Sequence, residues 1–254
     1  MIRRPPRSTL SSSSAASDVY KRQALIPAAG IGSRAQLKLA KQFTEIGSKT
    51  IIEYAIDPFL LDENCKKICV VTQEENDIWN SLAISNHEKI VSCIGGDTRM
   101  ESVLKGLEFL MEQEDKGSLV AIHDAARPCL IKEDLQKLMD FASEEMKDEG
   151  QGVLLAHQPP ESVSLGNKNK ITKTLDRSKV WLSATPQVFF LEDILRAIDN
   201  AKEEKKVFSD EVGAALNFFD GTITPILSDR MNIKVTKKED LVLVEQYLKL
   251  SGRL

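Results

Sequence analysis

The feature that most constrains the fold is a regular alternation of short apolar runs with longer helical patterns, which starts at Ala24. The runs are rich in β-branched residues and occupy residues 24–27, 68–72, 90–94, 119–123 and 153–157. Strands that are apolar throughout and are separated by amphipathic helices indicate a mostly parallel sheet covered by helices on both faces. We therefore predict an α/β fold whose ligand crevice lies beyond the carboxyl ends of the strands.

Helical periodicity fills the gaps between these runs. Val103, Leu107 and Leu110 recur at helical spacing, and a second apolar stripe runs through residues 132–149. Later patterns predict helices at 191–204, 209–218 and 237–249, with short strands at 222–227 and 232–235.

Residues 157–181 interrupt the pattern with prolines, a Gly-Asn pair and alternating polar and β-branched residues. This composition indicates a projecting β-arm with its turn near residues 165–170. A surface loop is the alternative, although the length of the segment favours a functional role.

Residues 1–23 differ from the rest of the chain, with five basic residues, one acid and six serines. Such a leader is typical of a transit peptide or of a disordered N-terminus. It also resembles translated cloning or sequencing adapter sequence, which we favour because residues 20–23 lack the apolar character of a central strand. We expect a disordered, non-native leader at 1–23 and a folded domain at 24–254. The expected location is the bacterial cytoplasm, or a plastid if the leader is a genuine transit peptide.

The composition excludes several classes of protein. No apolar run approaches the roughly 18 residues of a membrane span. The net charge is −4, and the domain without its leader carries −8. Together with an aromatic content of 6%, this argues against a nucleic-acid-binding surface. The spacing of the four cysteines and three histidines gives no zinc site, so we expect reduced cysteines.

A glycine turn follows the first strand, where residues 28–35 read AAGIGSRA. Small residues let the backbone N–H groups approach phosphate. Gly30, Gly32 and Ala35 match a weak dinucleotide fingerprint, but basic residues follow and no acid ends a second strand. Glu53 has the expected separation but sits in a helical pattern. The turn therefore favours a triphosphate over a dinucleotide.

Two further strand ends carry polar motifs. Gly95 and Gly96 precede Asp97, which could bind a ligand or simply cap the next helix. Asp124 follows another strand, with Arg127 three residues later. A carboxylate and a planar cation suit a metal–phosphate site, although a plain ion pair is the structural alternative.

The segments ALIPAAGIGSR, AKQ, GGDTRMESV, HDAARPC, TLDR, TPQ and NIKVT occur in this order. In content and spacing they resemble the 2-C-methyl-D-erythritol 4-phosphate cytidylyltransferases over residues 24–249. The resemblance implies a Rossmann-like nucleotidyltransferase fold, a homodimer joined by β-arms, and Mg²⁺. The implied reaction transfers CMP from CTP to methylerythritol phosphate and releases pyrophosphate. The same motifs leave ribitol 5-phosphate as the alternative acceptor, and a nicotinamide-dependent oxidoreductase or a non-catalytic nucleotide-binding protein as other classes.

The resemblance also implies residue roles. Arg34 and Lys41 correspond to residues that stabilise the transition state, and Arg177 and Lys234 to residues that position the acceptor. Asp124 would hold the metal. The positions implied for the nucleotide are Ala28, Ala29, Gly30, Gly32, Gly96, Asp97, Ser102, Asp124 and Ala125. Those implied for the acceptor are Arg127, Ser162, Arg177, Ser209 and Lys234. The chain departs from the family pattern at Ala35, Ala40, Pro159–Ser162, Ser209 and Met231.

Overall fold

The computed structural model describes residues 20–30, 40–74, 76–113 and 117–254. Its strands are β1 (Arg22–Pro27), β2 (Glu45–Ile46), β3 (Lys49–Thr50), β4 (Cys65–Thr72), β5 (Ile90–Ile94), β6 (Leu119–Ile122), β7 (Gly152–His157), β8 (Val163–Asn167), β9 (Lys170–Leu175), β10 (Leu182–Phe190) and β11 (Ile223–Leu227). Its α-helices are α1 (Ile51–Leu60), α2 (Asp77–Ser81), α3 (Arg99–Met111), α4 (Lys132–Glu145), α5 (Leu191–Glu203), α6 (Glu211–Phe218) and α7 (Asp240–Leu250). None of the helices in these ranges is long and apolar enough to cross a membrane.

One large sheet organises the molecule, with the strand order β11-β7-β10-β6-β1-β4-β5. β1 pairs in parallel with β4 and β6, β4 with β5, and β7 with β11. β10 is antiparallel to both of its neighbours, β6 and β7. The prediction of a mostly parallel α/β sheet is therefore confirmed.

Both faces of the sheet are buried, as continuous apolar strands require. Ala24 and Ile26 of β1 point into a core with α1 and α4, whereas Leu25 points into a core with α3, α5 and α6. A third, smaller core holds α7 against Val235 and Ala126. This third core anchors the segment that carries the NIKVT motif.

β8 and β9 form an antiparallel hairpin that is a sheet of its own. The two residues between the strands lie inside the predicted turn, and Lys168 there has a positive φ of 54°. Leu165 and Ile171 expose their side chains. The structure thus has an antiparallel hairpin where the sequence predicts the turn of a β-arm.

Three segments differ from the sequence expectation. β10 was not predicted, because Pro186 and a register shift between Ser183 and Gln187 interrupt its pattern. The strand predicted at 232–235 is wrong: the backbone N–H of Val235 donates to Ala126 O at 2.8 Å, in a loop rather than in a sheet.

The third difference concerns the start of the domain. β1 begins at Arg22, so Arg22 and Gln23 belong to the central strand although the sequence analysis assigned them to the leader. Both side chains are buried, and both Gln23 polar atoms lack a hydrogen-bond partner among the described residues. The polar character noted in the sequence is thus a real mismatch within the strand. Residues 1–19 lie outside the described residues, and the non-native origin of the leader stays a prediction.

Candidate active site

A cleft of about 640 Å³ lies at the carboxyl ends of the neighbouring strands β5, β4, β1 and β6. This is the edge where the parallel topology places a ligand. Ten predicted site residues line it: Ala28, Ala29, Gly30, Lys41, Gly96, Asp97, Ser102, Asp124, Ala125 and Lys234. Gly32 and Arg34 lie outside the described residues. A second cleft of about 670 Å³ beside Arg253 contains none of the predicted site residues.

The first glycine turn is held by Gln42, a residue that the sequence analysis did not select. Its buried side-chain amide donates to Ala28 O at 2.6 Å and to Gly30 O at 2.9 Å. These bonds engage the carbonyl groups of the turn. The AKQ motif contains Gln42 and was the available signal for it. Gln42 and the next residue, Phe43, are both buried in the 3₁₀ turn.

The second glycine turn packs against the first. A Cβ atom at Gly95 would meet Ala29 Cβ at 2.7 Å and Ser102 Oγ at 2.8 Å, so the close approach requires glycine. Ser102 is buried, accepts from Gly96 N at 3.1 Å and donates to Thr98 O at 2.9 Å. Its hydroxyl therefore shapes the turn that lines the cleft.

Asp97 does not cap the following helix, which was the structural alternative. Thr98 is the N-cap of α3 and forms a capping box with Glu101. Asp97 is exposed at the cleft wall. This leaves its carboxylate outside the capping interactions.

Three cations converge on the buried Asp124 carboxylate at the floor of the cleft. Oδ1 accepts from Arg99 Nε at 3.3 Å. Oδ2 contacts Arg127 Nε at 3.3 Å and Lys234 Nζ at 2.9 Å. Burial alone would raise the pKa of this carboxyl, but Arg99, Lys234 and Arg127 hold it well below its ordinary value. Asp124 is therefore ionised at neutral pH and fixes the positions of the three cations.

His123 and Thr185 hold the backbone around Asp124 and Arg127 in place. The Thr185 hydroxyl accepts from Asp124 N at 3.0 Å and lies 3.1 Å from His123 Nδ1. His123 Nε2 lies 3.2 Å from Arg127 O, which can only accept, so Nε2 carries the proton and Nδ1 accepts from Thr185. Burial lowers the pKa of His123 to about 4. This histidine is a neutral structural residue and not a general base.

The NIKVT segment joins the two sides of the cleft. Lys41 Nζ donates to Val235 O at 2.8 Å, which ties the 3₁₀ turn at Lys41–Phe43 to this segment. The backbone carbonyl of Asn232 accepts from Arg127 Nη1 at 2.7 Å, and its side-chain amide donates to Thr185 O at 2.8 Å. The segment thereby sets Lys234 beside Asp124.

Three predicted substrate residues lie away from the cleft within this chain. Arg177 and Ser162 flank the hairpin and are exposed, with Arg177 donating to Pro160 O. Ser209 is exposed before α6. None of the three lines the cleft, and the described residues do not bring them to it.

The surroundings of Asp124 do not fit a metal held by the protein. Both of its oxygens contact cations, and a divalent ion there would face three positive side chains. The described ranges contain no group of three or more His, Cys, Asp or Glu side chains that could hold a metal ion.

The arrangement suits a polyanion rather than a dinucleotide. Glu53 lies on α1 and accepts from Thr50 in a capping box, so it is not at a strand end where a ribose would bind. Two glycine turns face a floor of fixed cations, as transfer between phosphates requires, since that chemistry depends on positioning and charge stabilisation.

Comparison with known proteins agrees with this geometry. Residues 23–250 match the model of the 2-C-methyl-D-erythritol 4-phosphate cytidylyltransferase family. The protein of that name from Vibrio vulnificus is 35% identical over 226 residues, which cover 89% of this chain and 93% of the relative. One from Actinobacillus pleuropneumoniae is also 35% identical and is covered over 95% of its length.

Solved structures give the same result. The crystal structure of the Francisella tularensis 2-C-methyl-D-erythritol 4-phosphate cytidylyltransferase superposes with a TM-score of 0.76 at 31% identity. The match covers 90% of this chain and the whole of that one. The Anaerococcus prevotii 4-diphosphocytidyl-2C-methyl-D-erythritol synthase, at 23% identity and a TM-score of 0.77, supports the fold. This chain belongs to the 2-C-methyl-D-erythritol 4-phosphate cytidylyltransferase family.

Proposed function

We propose that this protein transfers CMP from CTP to 2-C-methyl-D-erythritol 4-phosphate, with release of pyrophosphate, in non-mevalonate isoprenoid synthesis. The observation that carries the proposal is the convergence of Arg99, Arg127 and Lys234 on the buried Asp124, in the cleft that two glycine turns also line. The reaction brings two phosphates together, so a site must offset several negative charges at fixed points. A carboxylate that orders three cations provides such points in an otherwise acidic domain.

The nucleotide is assigned to the wall of the cleft formed by the two glycine turns. The residues that line this wall are Ala28–Gly30, Gly96, Asp97, Ser102 and Ala125. Lys41 and Arg34 are assigned to the α-phosphate, where negative charge develops in the transition state. Lys41 suits this role because its ammonium is fixed at 2.8 Å from Val235 O on the cleft side that carries Lys234.

The acceptor phosphate is assigned to Lys234 and Arg127. Its attacking oxygen is already ionised near neutral pH, so the step needs alignment rather than a base. The buried, neutral His123 agrees with a mechanism that uses no histidine base. The Mg²⁺ implied by the resemblance is assigned to the phosphate oxygens of CTP, which are among its usual ligands in nucleotide sites, and not to Asp124.

The hairpin is assigned as a β-arm that joins two copies of the chain in a homodimer. The exposed apolar side chains of Leu165 and Ile171 in the hairpin, and of Trp181 after it, support contact with another chain, since each is at least 41% exposed. Arg177 and Ser162 lie beside the hairpin and away from their own cleft, which supports their use in the partner's site. The curated relatives are bacterial, which favours the bacterial cytoplasm over a plastid.

The substrate assignment is tested by pyrophosphate release from CTP with methylerythritol phosphate or ribitol 5-phosphate as acceptor. We expect kcat/KM to be at least about 100-fold higher with methylerythritol phosphate, the scale on which a polar site separates related substrates. Equal or reversed preference would support the ribitol alternative. A protein that binds CTP but turns over neither acceptor would contradict an enzymatic role.

The shared site is tested by complementation between Lys41→Ala and Arg177→Ala chains that carry different tags. Each homodimer should be nearly inactive, whereas the doubly tagged heterodimer contains one intact site in two and should regain about half of the activity. Lys173→Ala, on the exposed side of β9, is the matched control and should stay active. A heterodimer as inactive as both homodimers would mean that each site uses one chain.

A further inference from the structure

Arg99 lies between two buried carboxylates, only one of which lines the cleft. Its Nη1 and Nη2 donate to Glu211 Oε1 and Oε2 at 2.6 and 3.2 Å, and its Nε donates to Asp124 Oδ1 at 3.3 Å. The Glu211 side chain is 2% exposed and that of Arg99 is 32% exposed. A two-pronged pair of this kind fixes the plane of the guanidinium as well as its position.

Glu211 is itself held by the start of α6. Its neighbour Asp210 is the N-cap, accepting from Gly213 N at 3.2 Å, and also accepts from Gln187 Nε2 at 3.1 Å. Gln187 Oε1 accepts from Val212 N at 3.2 Å, so β10 is hydrogen-bonded to the first turn of the helix. The backbone that carries the Glu211 carboxylate is therefore anchored to the sheet.

We propose that Glu211 is a positioning residue that acts on the site through Arg99. By holding the Nη edge of Arg99, it turns Nε towards Asp124 and fixes the guanidinium in one orientation at the cleft. Asp124 in turn sets Lys234 at 2.9 Å. The proposal rests on the assignment of Lys234 to the acceptor phosphate.

The alternative is an ordinary buried ion pair that contributes only to stability. The two roles differ in how their losses combine. If Glu211 acts through Arg99, the two substitutions disrupt the same interaction. The loss of kcat/KM in the double variant is then smaller than the product of the two single losses. A purely structural pair affects the folded fraction and leaves the kinetics of the folded enzyme unchanged.

The test compares Glu211→Gln, Arg99→Lys and the double variant in the full-length enzyme, with kinetics corrected for the folded fraction. Each single variant should lose about 10–100-fold in kcat/KM for methylerythritol phosphate, the scale of a small misplacement of a reacting group. The KM for CTP should change less than about threefold, because the effect passes through Asp124 to Lys234, which is assigned to the acceptor. The double variant should resemble the worse single variant.

Asp193→Asn is the matched control. Asp193 is another buried carboxylate, which accepts from Gly150 N at 2.8 Å and lies outside the cleft lining. Its replacement should lower the melting temperature without changing either KM. Retained kcat/KM in Glu211→Gln, or losses that multiply in the double variant, would overturn the proposal.

A second readout separates this proposal from the assignment of substrates. A crystal structure of Glu211→Gln should have Arg99 turned away from Asp124 and the contact between Asp124 and Lys234 lengthened or broken. Unchanged geometry would contradict the positioning role whatever the substrate is. A wild-type enzyme that fails to release pyrophosphate would instead contradict the proposed function.

Discussion

The buried His123 makes the stability of this protein depend on pH in a defined window. Burial lowers its pKa from the ordinary value of 6.5 to about 4. The unfolded chain therefore takes up a proton near pH 6.5, whereas the folded protein does so only near pH 4. The stability from this group is complete above about pH 6.5 and is lost as the pH falls towards 4. One pKa unit is worth about 1.4 kcal/mol, so the loss is about 3 kcal/mol.

The measurement is urea unfolding of the wild type and of His123→Gln at several pH values between 4 and 7.5. Glutamine cannot be protonated and keeps a donor for Arg127 O. The difference in unfolding free energy between the two proteins should therefore shrink by about 3 kcal/mol from pH 7.5 to 4. His87→Gln, at an exposed position, is the control for the loss of an imidazole. A difference that stays constant across this range would refute the neutral assignment of His123.

Three further predictions follow from the cleft and the central strand. Lys41→Ala should lower kcat by about 10²–10³-fold in steady-state assays, the usual effect of losing one fixed electrostatic donor; near-normal turnover would exclude its role. Gln42→Leu should lower stability by about 1–3 kcal/mol in urea unfolding, because it leaves the carbonyls of Ala28 and Gly30 without their donor; an unchanged unfolding midpoint would mean that these two hydrogen bonds do not stabilise the turn. Gln23→Leu should raise stability by about 1–3 kcal/mol, because it removes buried polar atoms that have no hydrogen-bond partner within the described part of the chain; a loss of stability would mean that this side chain has a partner in solution.

The apolar pattern was sufficient to predict the layers of the fold. Ile90–Ile94 matches β5 residue for residue, and the other four runs fall within or end one residue beyond their strands. Local periodicity succeeds there because both faces of these strands are buried. It fails for β10, whose burial depends on its insertion between β6 and β7, strands that are distant from each other in the sequence. No local signal encodes that insertion.

Some residues of the candidate site could be predicted from local sequence, and others could not. The glycine motifs predicted the backbone turns, because small residues at strand ends have a local meaning, whereas Lys234 was named only through the resemblance of the NIKVT segment to the family. Arg99 and Glu211 were not selected, because their importance comes from a contact 112 residues apart in the chain. Ser102 was expected to face a ligand, and its hydroxyl bonds the backbone of its own turn, a distinction that requires atomic distances.

The small core that holds α7 against Val235 has a consequence for the order in which the protein matures on the ribosome. The two glycine turns come from the first hundred residues, whereas Lys234 is docked by Val244 and Leu248, which are translated later. Because synthesis starts at the N-terminus, both glycine turns are made well before the helix that packs against Val235, the neighbour of Lys234. The cleft can therefore be complete only after the C-terminal helix α7 has been made.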